Sequence, residues 1–235
     1  MKTFKILGLF LTYPEADLIS HLDEMVDILD DEGLLPARHR RKIRGFAREL
    51  ASQDIYQIQE NYVELFDRGR AHCLQLFEHI HGESRDRGQA MVNLVETYAS
   101  KGLYVSSGDL PDHLPLFLEY LSLCQFEEAA ELLGDAINVI AAIGVKLKKR
   151  NAAYAVIFAA LEALSKAKPD QDMLAKLREA PLEKISLADI DAAWEESAAF
   201  DKDDMTSSDC SDCNAFPQAT EALQNIVHET ANGGQ

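Results

Sequence analysis

FEEAAELLGDAINVIAAIGVKLKKR, the stretch from residue 126 to residue 150, decides the fold class because its apolar residues recur at helical spacing. Its acidic residues come first and its basic residues last, which is the order that the helix dipole favours. The next segment, NAAYAVIFAALEALSKAK at residues 151–168, is apolar on most of its faces. It therefore predicts a helix near the centre of the core.

Helical periodicity extends over most of the chain, and no segment shows the alternation expected of a strand. Further helices are predicted through Phe4, Leu7 and Leu11 and at residues 14–33, 36–52, 54–67, 84–102, 112–121, 170–180 and 186–200. Because the connections are short, residues 1–200 predict a single-domain, all-α bundle of about eight to ten helices with antiparallel neighbours. Residues 201–235 are polar and acidic, and they predict a flexible tail.

The charge of the chain limits the partners that it can bind. It has 40 acidic and 23 basic residues, which gives a net charge of −17. Nucleic acid and anionic membranes would repel such a chain, so its charge favours a partner with basic residues. The N-terminal apolar run is too short to span a bilayer, which argues against direct membrane insertion. Four cysteines without the framework of a secreted domain indicate reduced thiols in a cytoplasmic protein.

The segment DHLPLFLEYL, residues 112–121, begins with a polar group in front of an apolar helix. Asp112 is a suitable N-cap, and Pro115 would then lie in the first turn, where a missing N–H is tolerated. His113 is not explained by helix formation, because a cation is unfavourable at the positive end of a helix. We expect His113 to be neutral or to pair with a carboxylate.

A second polar segment lies between residues 62 and 94. Glu78 and His81 have the spacing of half a di-iron motif, with His79 between them, but the chain has no second half of that motif. We therefore predict no metal and no cofactor, and instead a turn with ion pairs that is capped at Ser84. The chain also lacks nucleotide-binding and hydrolase motifs, which argues against an enzyme.

Two other features allow a simple structural interpretation. The basic run RHRRKIR, residues 38–44, has no interleaved aromatic residues and predicts a solvated helix face that pairs with acidic neighbours. The pair Cys210 and Cys213 lies in the polar tail without a second pair, so it is a weak signal for a metal or redox site.

The runs FEHIHGESRDRGQAMVNL (residues 77–94) and LPDHLPLFLEYLSL (residues 110–123) resemble the delta-subunit chaperones of respiratory nitrate reductase. These chaperones are the NarJ-type branch of the TorD/DmsD-like, all-helical chaperones for molybdoenzymes. The likeness extends from ILGLFLTYP (residues 6–14) to about Trp194. It implies a TorD-like helical fold.

The resemblance also implies a function. Chaperones of this family hold the catalytic (alpha) subunit of nitrate reductase in the cytoplasm while molybdenum cofactor and an iron–sulfur cluster are inserted. They recognise the N-terminus of that subunit, with a second contact site elsewhere and cofactor delivery proteins as further partners. Two other classes remain open from the residues alone. These are a small helical metalloprotein that uses Glu78, His79 and His81, and a constitutive scaffold subunit of a membrane complex.

The residues expected to bind the partner peptide are Tyr62, Phe66, Arg70, Asp112, His113, Leu116, Glu119 and Tyr120. We expect Asp112 and Glu119 to attract basic residues of the peptide. His113 would make binding sensitive to pH near neutrality. The rings of Tyr62, Phe66 and Tyr120 would form an aromatic wall.

Overall fold

The computed structural model describes residues 1–68, 70–81, 85–106 and 108–181. These residues form twelve α-helices and one short 3₁₀ turn (Arg70–His72), with no β-strand among them. The α-helices are α1 (Lys2–Leu9), α2 (Ala16–Ser20), α3 (Leu22–Glu32), α4 (Ala37–Ala51), α5 (Ile55–Phe66), α6 (Glu78–His81), α7 (Arg85–Ser100), α8 (Leu114–Leu123), α9 (Phe126–Asp135), α10 (Ile137–Lys149), α11 (Ala155–Leu164) and α12 (Gln171–Glu179). The predicted all-α fold is confirmed.

The described helices outnumber the eight to ten predicted because two predicted segments are each divided and because the short helix α6 was not predicted. Residues 14–33 form α2 and α3 with His21 between them, where its backbone N–H donates to the Leu18 carbonyl oxygen and its Nδ1 lies 2.8 Å from the Asp17 carbonyl oxygen. Residues 126–150 form α9 and α10, with Ala136 between them at φ −88° and ψ −2°. The predicted ends at Gly33 and Gly102 are confirmed, and both glycines have the positive φ that ends a helix.

Helices α1 and α8 pack against each other in antiparallel orientation. The Met1 ammonium group donates to the Ser122 carbonyl oxygen at one end of the pair. Near the other end, a Cβ atom at Gly8 would lie only 3.0 Å from the Pro115 carbonyl oxygen and 3.3 Å from the Leu118 Cβ. Glycine therefore allows the close approach of these two helices.

Helix α11 lies in the core, as its apolar sequence predicts, and it packs against α10 and α4. Ile157, Phe158 and Leu161 are fully buried there. The predicted pairing of the basic segment of α4 is also confirmed. Arg40 lies 3.1 Å from Asp30, and Arg44 contacts Asp27 and Asp30 at 3.0 and 2.5 Å.

The predicted N-cap of α8 is wrong. The helix begins at Leu114 with His113 as its N-cap residue, and no side chain caps it. Asp112 is fully buried and accepts a hydrogen bond from the backbone N–H of Phe77 instead. A buried N–H in a distant segment thus takes the carboxylate that would otherwise cap the helix. Pro115 does lie in the first turn, as predicted.

Several sequence predictions fall outside the described residues. They include the helix at 186–200, the cap at Ser84, the domain boundary at residue 200 and the Cys210/Cys213 pair. Cys73 and Cys124 are both buried as free thiols. Within the described ranges, no helix combines the length and the apolar character needed to cross a membrane.

Candidate functional site

A short extended segment crosses the start of α8 and fixes its position. The backbone N–H of Leu114 donates to the Leu74 carbonyl oxygen at 2.8 Å, and that of Leu76 donates to the Asp112 carbonyl oxygen at 2.9 Å. Gln75 and His113 form an antiparallel bridge between these two bonds. The first turn of α8 is therefore held by backbone contacts with residues 74–77.

The Asp112 carboxylate joins this segment to α7. Its Oδ2 accepts from the Phe77 N–H at 3.1 Å and lies 3.6 Å from Arg87 Nη2. Arg87 Nη1 lies 3.9 Å from a Glu78 carboxylate oxygen. Burial raises the pKa of Asp112, and the positive charge of Arg87 opposes that rise. Through these contacts, Asp112 holds three segments of the fold together. Its side chain has no exposed surface, and its predicted attraction of a peptide stays a prediction.

His113 is half-buried at the N-terminal end of α8. Burial lowers its pKa, while the carboxylates of Asp109 and Asp67 oppose that effect. Burial thus favours the neutral form of the imidazole over the charged form. The lowered pKa means that His113 gains its proton at a lower pH than an ordinary histidine does. The pH sensitivity expected for peptide binding therefore moves to more acidic pH.

The outer side of α8 presents four residues at helical spacing. His113, Leu116 and Glu119 are partly exposed, and Leu123 is 51% exposed. Their spacing of three, three and four residues places them on one side of the helix. Two apolar side chains thus alternate with an imidazole and a carboxylate along one line.

Helix α1 and the turn after it lie beside this line. Lys5 Nζ donates to Glu119 Oε1 at 2.9 Å, and both side chains are partly exposed. The antiparallel register brings half-exposed Leu9 to about the level of Leu116. The combined surface is called the α1–α8 face below, and it consists of Lys5, Leu9, His113, Leu116, Glu119 and Leu123.

The predicted aromatic residues all lie in the hydrophobic core and belong to two separate groups of ring contacts. The Tyr62 and Phe66 rings pack in a tilted arrangement with centroids 5.0 Å apart, whereas the Tyr120 ring packs against Tyr98 at 5.0 Å. Tyr62, Phe66 and Tyr120 are all buried, so their contact with a peptide stays a prediction.

One exposed ring was missed from the sequence. Tyr13 is 46% exposed and meets the Tyr62 ring edge-on at 5.7 Å. The Tyr62 hydroxyl donates to the Leu11 carbonyl oxygen at 2.9 Å, which fixes the turn before Tyr13. The only sequence signal was its place directly after the first helix, next to Pro14.

Arg70 lies in the 3₁₀ turn before the crossing segment. Its side chain lies outside the described part of the structure. Its predicted contact with a peptide stays a prediction.

The residues of the alternative metal-site hypothesis are Glu78, His79 and His81, and the first two contact other groups of the protein. Glu78 faces Arg87, and His79 Nε2 lies 2.9 Å from the Cys73 carbonyl oxygen and 3.4 Å from its sulfur. Burial lowers the pKa of His79. The His81 side chain lies outside the described structure. Within the described ranges, no three His, Cys, Asp or Glu side chains are grouped as metal ligands.

Comparison with known proteins identifies relatives of the chain. The family described as "Nitrate reductase delta subunit" matches residues 32–160. Over 192 residues, or 81% of each chain, the sequence is 43% identical to the nitrate reductase molybdenum cofactor assembly chaperone NarJ of Escherichia coli K12. It is 34% identical to the probable nitrate reductase molybdenum cofactor assembly chaperone NarW of the same strain, with 100% of both chains covered.

A more distant relative comes from another bacterium. The probable nitrate reductase molybdenum cofactor assembly chaperone NarJ of Bacillus subtilis 168 is 29% identical over 164 residues, which cover 68% of this chain and 88% of the relative. All three relatives are named as assembly chaperones rather than as catalysts.

Proposed function

This chain belongs to the nitrate reductase delta-subunit family, and on that premise we propose that it is an assembly chaperone for a respiratory nitrate reductase. It acts in the cytoplasm and catalyses no reaction of its own. It binds the N-terminal segment of the catalytic subunit and holds that subunit while molybdenum cofactor and an iron–sulfur cluster are inserted. The subunit then leaves the chaperone and docks on its membrane anchor.

The α1–α8 face is the observation that supports this proposal most directly. Leu9 and Leu116 provide partly exposed apolar surface, and the Glu119 carboxylate lies beside them. A basic amphipathic helix can bury its apolar side on such a surface while a carboxylate orients its basic side chains. The net charge of −17 would also attract a basic segment from a distance.

The buried predicted residues have supporting roles in this proposal. Tyr62 and Phe66 stand behind exposed Tyr13 and give the face a rigid aromatic border. Asp112 fixes the start of α8 and thereby the position of His113. Arg70 and Tyr120 complete the proposed peptide site. The helical unit is proposed to extend to about residue 200, with residues 201–235 as a tail.

Capture of the client from cells tests the proposal against the scaffold alternative. The tagged full chain is expected to capture the catalytic subunit from cells that cannot make molybdenum cofactor. It should capture much less from cells that complete the enzyme, because a chaperone releases its client. A client that lacks its first fifteen or so residues should be captured less well than the intact subunit.

The same experiment has a clear contrary result. Stoichiometric retention of this chain in the mature, membrane-bound enzyme would support a permanent subunit and contradict a chaperone. A matched control is the Val92→Asp variant, whose substituted side chain is exposed on α7 and is not one of the residues of the α1–α8 face. It should capture the client as well as the parent chain does.

A further inference from the structure

A basic cleft opens where the end of α10 meets the 3₁₀ turn and the end of α12. The polar side chains that line it are His72, Lys146, Lys149 and Arg150. Lys149 and Arg150 follow Lys146 by three and four residues, so these basic side chains lie on one side of the end of α10. The cleft shares no residue with the α1–α8 face, and the peptide binding proposed above does not use it.

The cleft is positive although the chain as a whole is acidic. Its basic residues contrast with a net charge of −17, and no acidic residue lines it within the described ranges. The C-terminal ends of α10 and α12 meet there, and each end contributes about half a negative charge. The two lysines and the arginine therefore leave the cleft with a charge of about +2.

The polar groups of the cleft differ in their contacts. Lys149 Nζ donates to the Leu177 and Ala180 carbonyl oxygens and so holds α12 against α10. Lys146 forms no side-chain hydrogen bond or ion pair with the residues that the structure describes. His72 is only 3% exposed, yet its ring has no hydrogen-bond partner among the same residues. Because buried polar side chains nearly always have a partner, the His72 ring indicates a ligand in the cleft.

The charges around His72 indicate the sign of that ligand. Burial lowers the pKa of His72, and the positive charges of Arg150 and Lys146 lower it further. At neutral pH the imidazole is therefore uncharged and has one ring N–H to donate. An anion beside the ring would be attracted by both positive charges and would accept a hydrogen bond from the ring N–H.

The size of the cleft limits the ligand to a small group. Its cavity has a volume of about 50 Å³, whereas one water needs about 10–15 Å³. It therefore has room for about four waters, and a phosphate group with its four oxygen atoms is of about that size. Pockets that enclose drug-sized molecules have about 300 Å³ or more, so the remainder of a larger ligand would lie outside this cleft.

We propose that the cleft is a phosphate site, in which one phosphate group contacts Lys146, Arg150 and the ring N–H of His72. A phosphate monoester carries about −1.5 to −2 charges at pH 7, which matches the charge of the cleft. Lys149 adds its charge and keeps the wall at α12 in place. Free phosphate and the phosphate end of a small molecule present the same chemistry to these groups. The site goes beyond the chaperone function proposed above and depends on none of its residues.

Nuclear magnetic resonance of the histidine rings tests this site in the full chain. Inorganic phosphate is titrated at pH 7 and at a constant ionic strength of about 0.1 M, and His72→Gln identifies the resonance of His72. We expect that resonance to shift saturably, with a Kd of about 1 mM or tighter. The resonance of His21, which does not line the cleft, should not shift with the same Kd.

Two lysine variants show whether the binding is local. Lys146→Ala should weaken phosphate binding about tenfold or more, because it removes a positive charge that acts on His72. Lys148→Ala is the matched control, since Lys148 lies in the same last turn of α10 but does not line the cleft. It should change the affinity less than about twofold. Circular dichroism verifies that both variants fold.

Two further ligands define the chemistry of the site. Glycerol 3-phosphate should also shift the His72 resonance, and tighter binding of it than of inorganic phosphate would identify the phosphate end of a small molecule as the ligand. Tighter binding of inorganic phosphate would identify the free ion. Acetate carries a single charge on a planar carboxylate, and it should bind about tenfold more weakly than either.

Three results would overturn the proposal. The first is no saturable shift of the His72 resonance with up to about 20 mM of either phosphate compound. The second is an equal loss of affinity in Lys146→Ala and Lys148→Ala, which would show a diffuse attraction to the end of α10. The third is binding of acetate as tight as that of phosphate.

Discussion

Arg87 Nη2 lies 3.6 Å from the buried Oδ2 of Asp112, and this contact joins the two sequence segments that carry the family resemblance. Arg87 belongs to the segment 77–94, and Asp112 belongs to the segment 110–123. The same carboxylate accepts a hydrogen bond from the Phe77 N–H. A single side chain therefore connects α7, the start of α8 and the extended segment at residues 74–77. Its first role is to hold the start of α8 in place.

Replacing Asp112 therefore tests a structural role. Asp112→Ala removes the carboxylate that accepts from the buried Phe77 N–H and the nearer carboxylate partner of Arg87, and we expect it to lower the free energy of unfolding by about 3 kcal/mol. Asp112→Asn retains an acceptor oxygen and should lower it less. Urea denaturation measures both values. Asp109→Ala, at an exposed position in the same loop, should change stability by less than about 0.5 kcal/mol; an equal loss there would argue against the special role of Asp112.

The α1–α8 contact depends on a glycine. In Gly8→Ala the new Cβ would lie 3.0 Å from the Pro115 carbonyl oxygen, so the helices must separate, and we expect a loss of about 1–3 kcal/mol. Gly45→Ala in α4 is the matched control, because nothing lies within 4 Å of its Cβ position. It should stabilise the chain by about 0.5–1 kcal/mol. Thermal unfolding of both variants measures the difference, and two changes of the same sign would contradict the packing.

Burial of His72 predicts a dependence of stability on pH. The pKa of His72 falls from 6.5 to about 4 in the folded chain. Between these values the unfolded chain binds the proton and the folded chain does not, so stability decreases as the pH falls. The contribution of His72 amounts to about 3 kcal/mol over this range.

Comparison of the parent chain with His72→Gln isolates this contribution. Urea denaturation between pH 7.5 and 4 should show a shallower loss of stability in the variant. His39, His79 and His113, whose pKa values burial also lowers, account for part of the remaining slope. Identical slopes in the two proteins would show that His72 titrates normally in the folded state.

Lys5 forms an ion pair with Glu119, whose carboxylate is proposed to bind a basic residue of the peptide. Because Glu119 and Lys5 are 39% and 54% exposed, a basic residue of a ligand can replace Lys5 at small cost. Lys5→Met should therefore strengthen binding of a basic peptide by about two- to fivefold. Lys101→Met, which removes a similar ion pair with Glu128 outside the face, should leave the affinity unchanged. Weaker binding by Lys5→Met would mean that Lys5 itself contacts the peptide.

The fold class could be predicted from helical periodicity, and the family resemblance is confirmed by the match to residues 32–160. The break at Ala136 could not be predicted, because the order of acidic and basic residues is the same for one long helix and for two in series. The break at His21 could not be predicted either, because helical periodicity continues across it. The burial of Asp112 could not be predicted from the sequence either. Its partner is a backbone N–H at Phe77, and residue spacing says nothing about such a distant donor.

The candidate site was predicted in part. His113, Leu116 and Glu119 were named from the sequence, and all three lie on the α1–α8 face. Tyr62 and Phe66 lie in the core, because aromatic residues at helical spacing look the same whether they border a groove or fill a core. Lys5 and Leu9 were missed, since only the antiparallel packing of α1 on α8 brings them to the face.

Calorimetric titration with a synthetic peptide tests peptide binding by the α1–α8 face most directly. The peptide is the first fifteen or so residues of the nitrate reductase catalytic subunit from the same organism. We expect saturable binding with a Kd of about 1 µM or tighter, weakened about tenfold or more by Leu116→Asp and unchanged by Val92→Asp. No binding to the parent chain, or loss of binding in Val92→Asp with normal binding in Leu116→Asp, would contradict it.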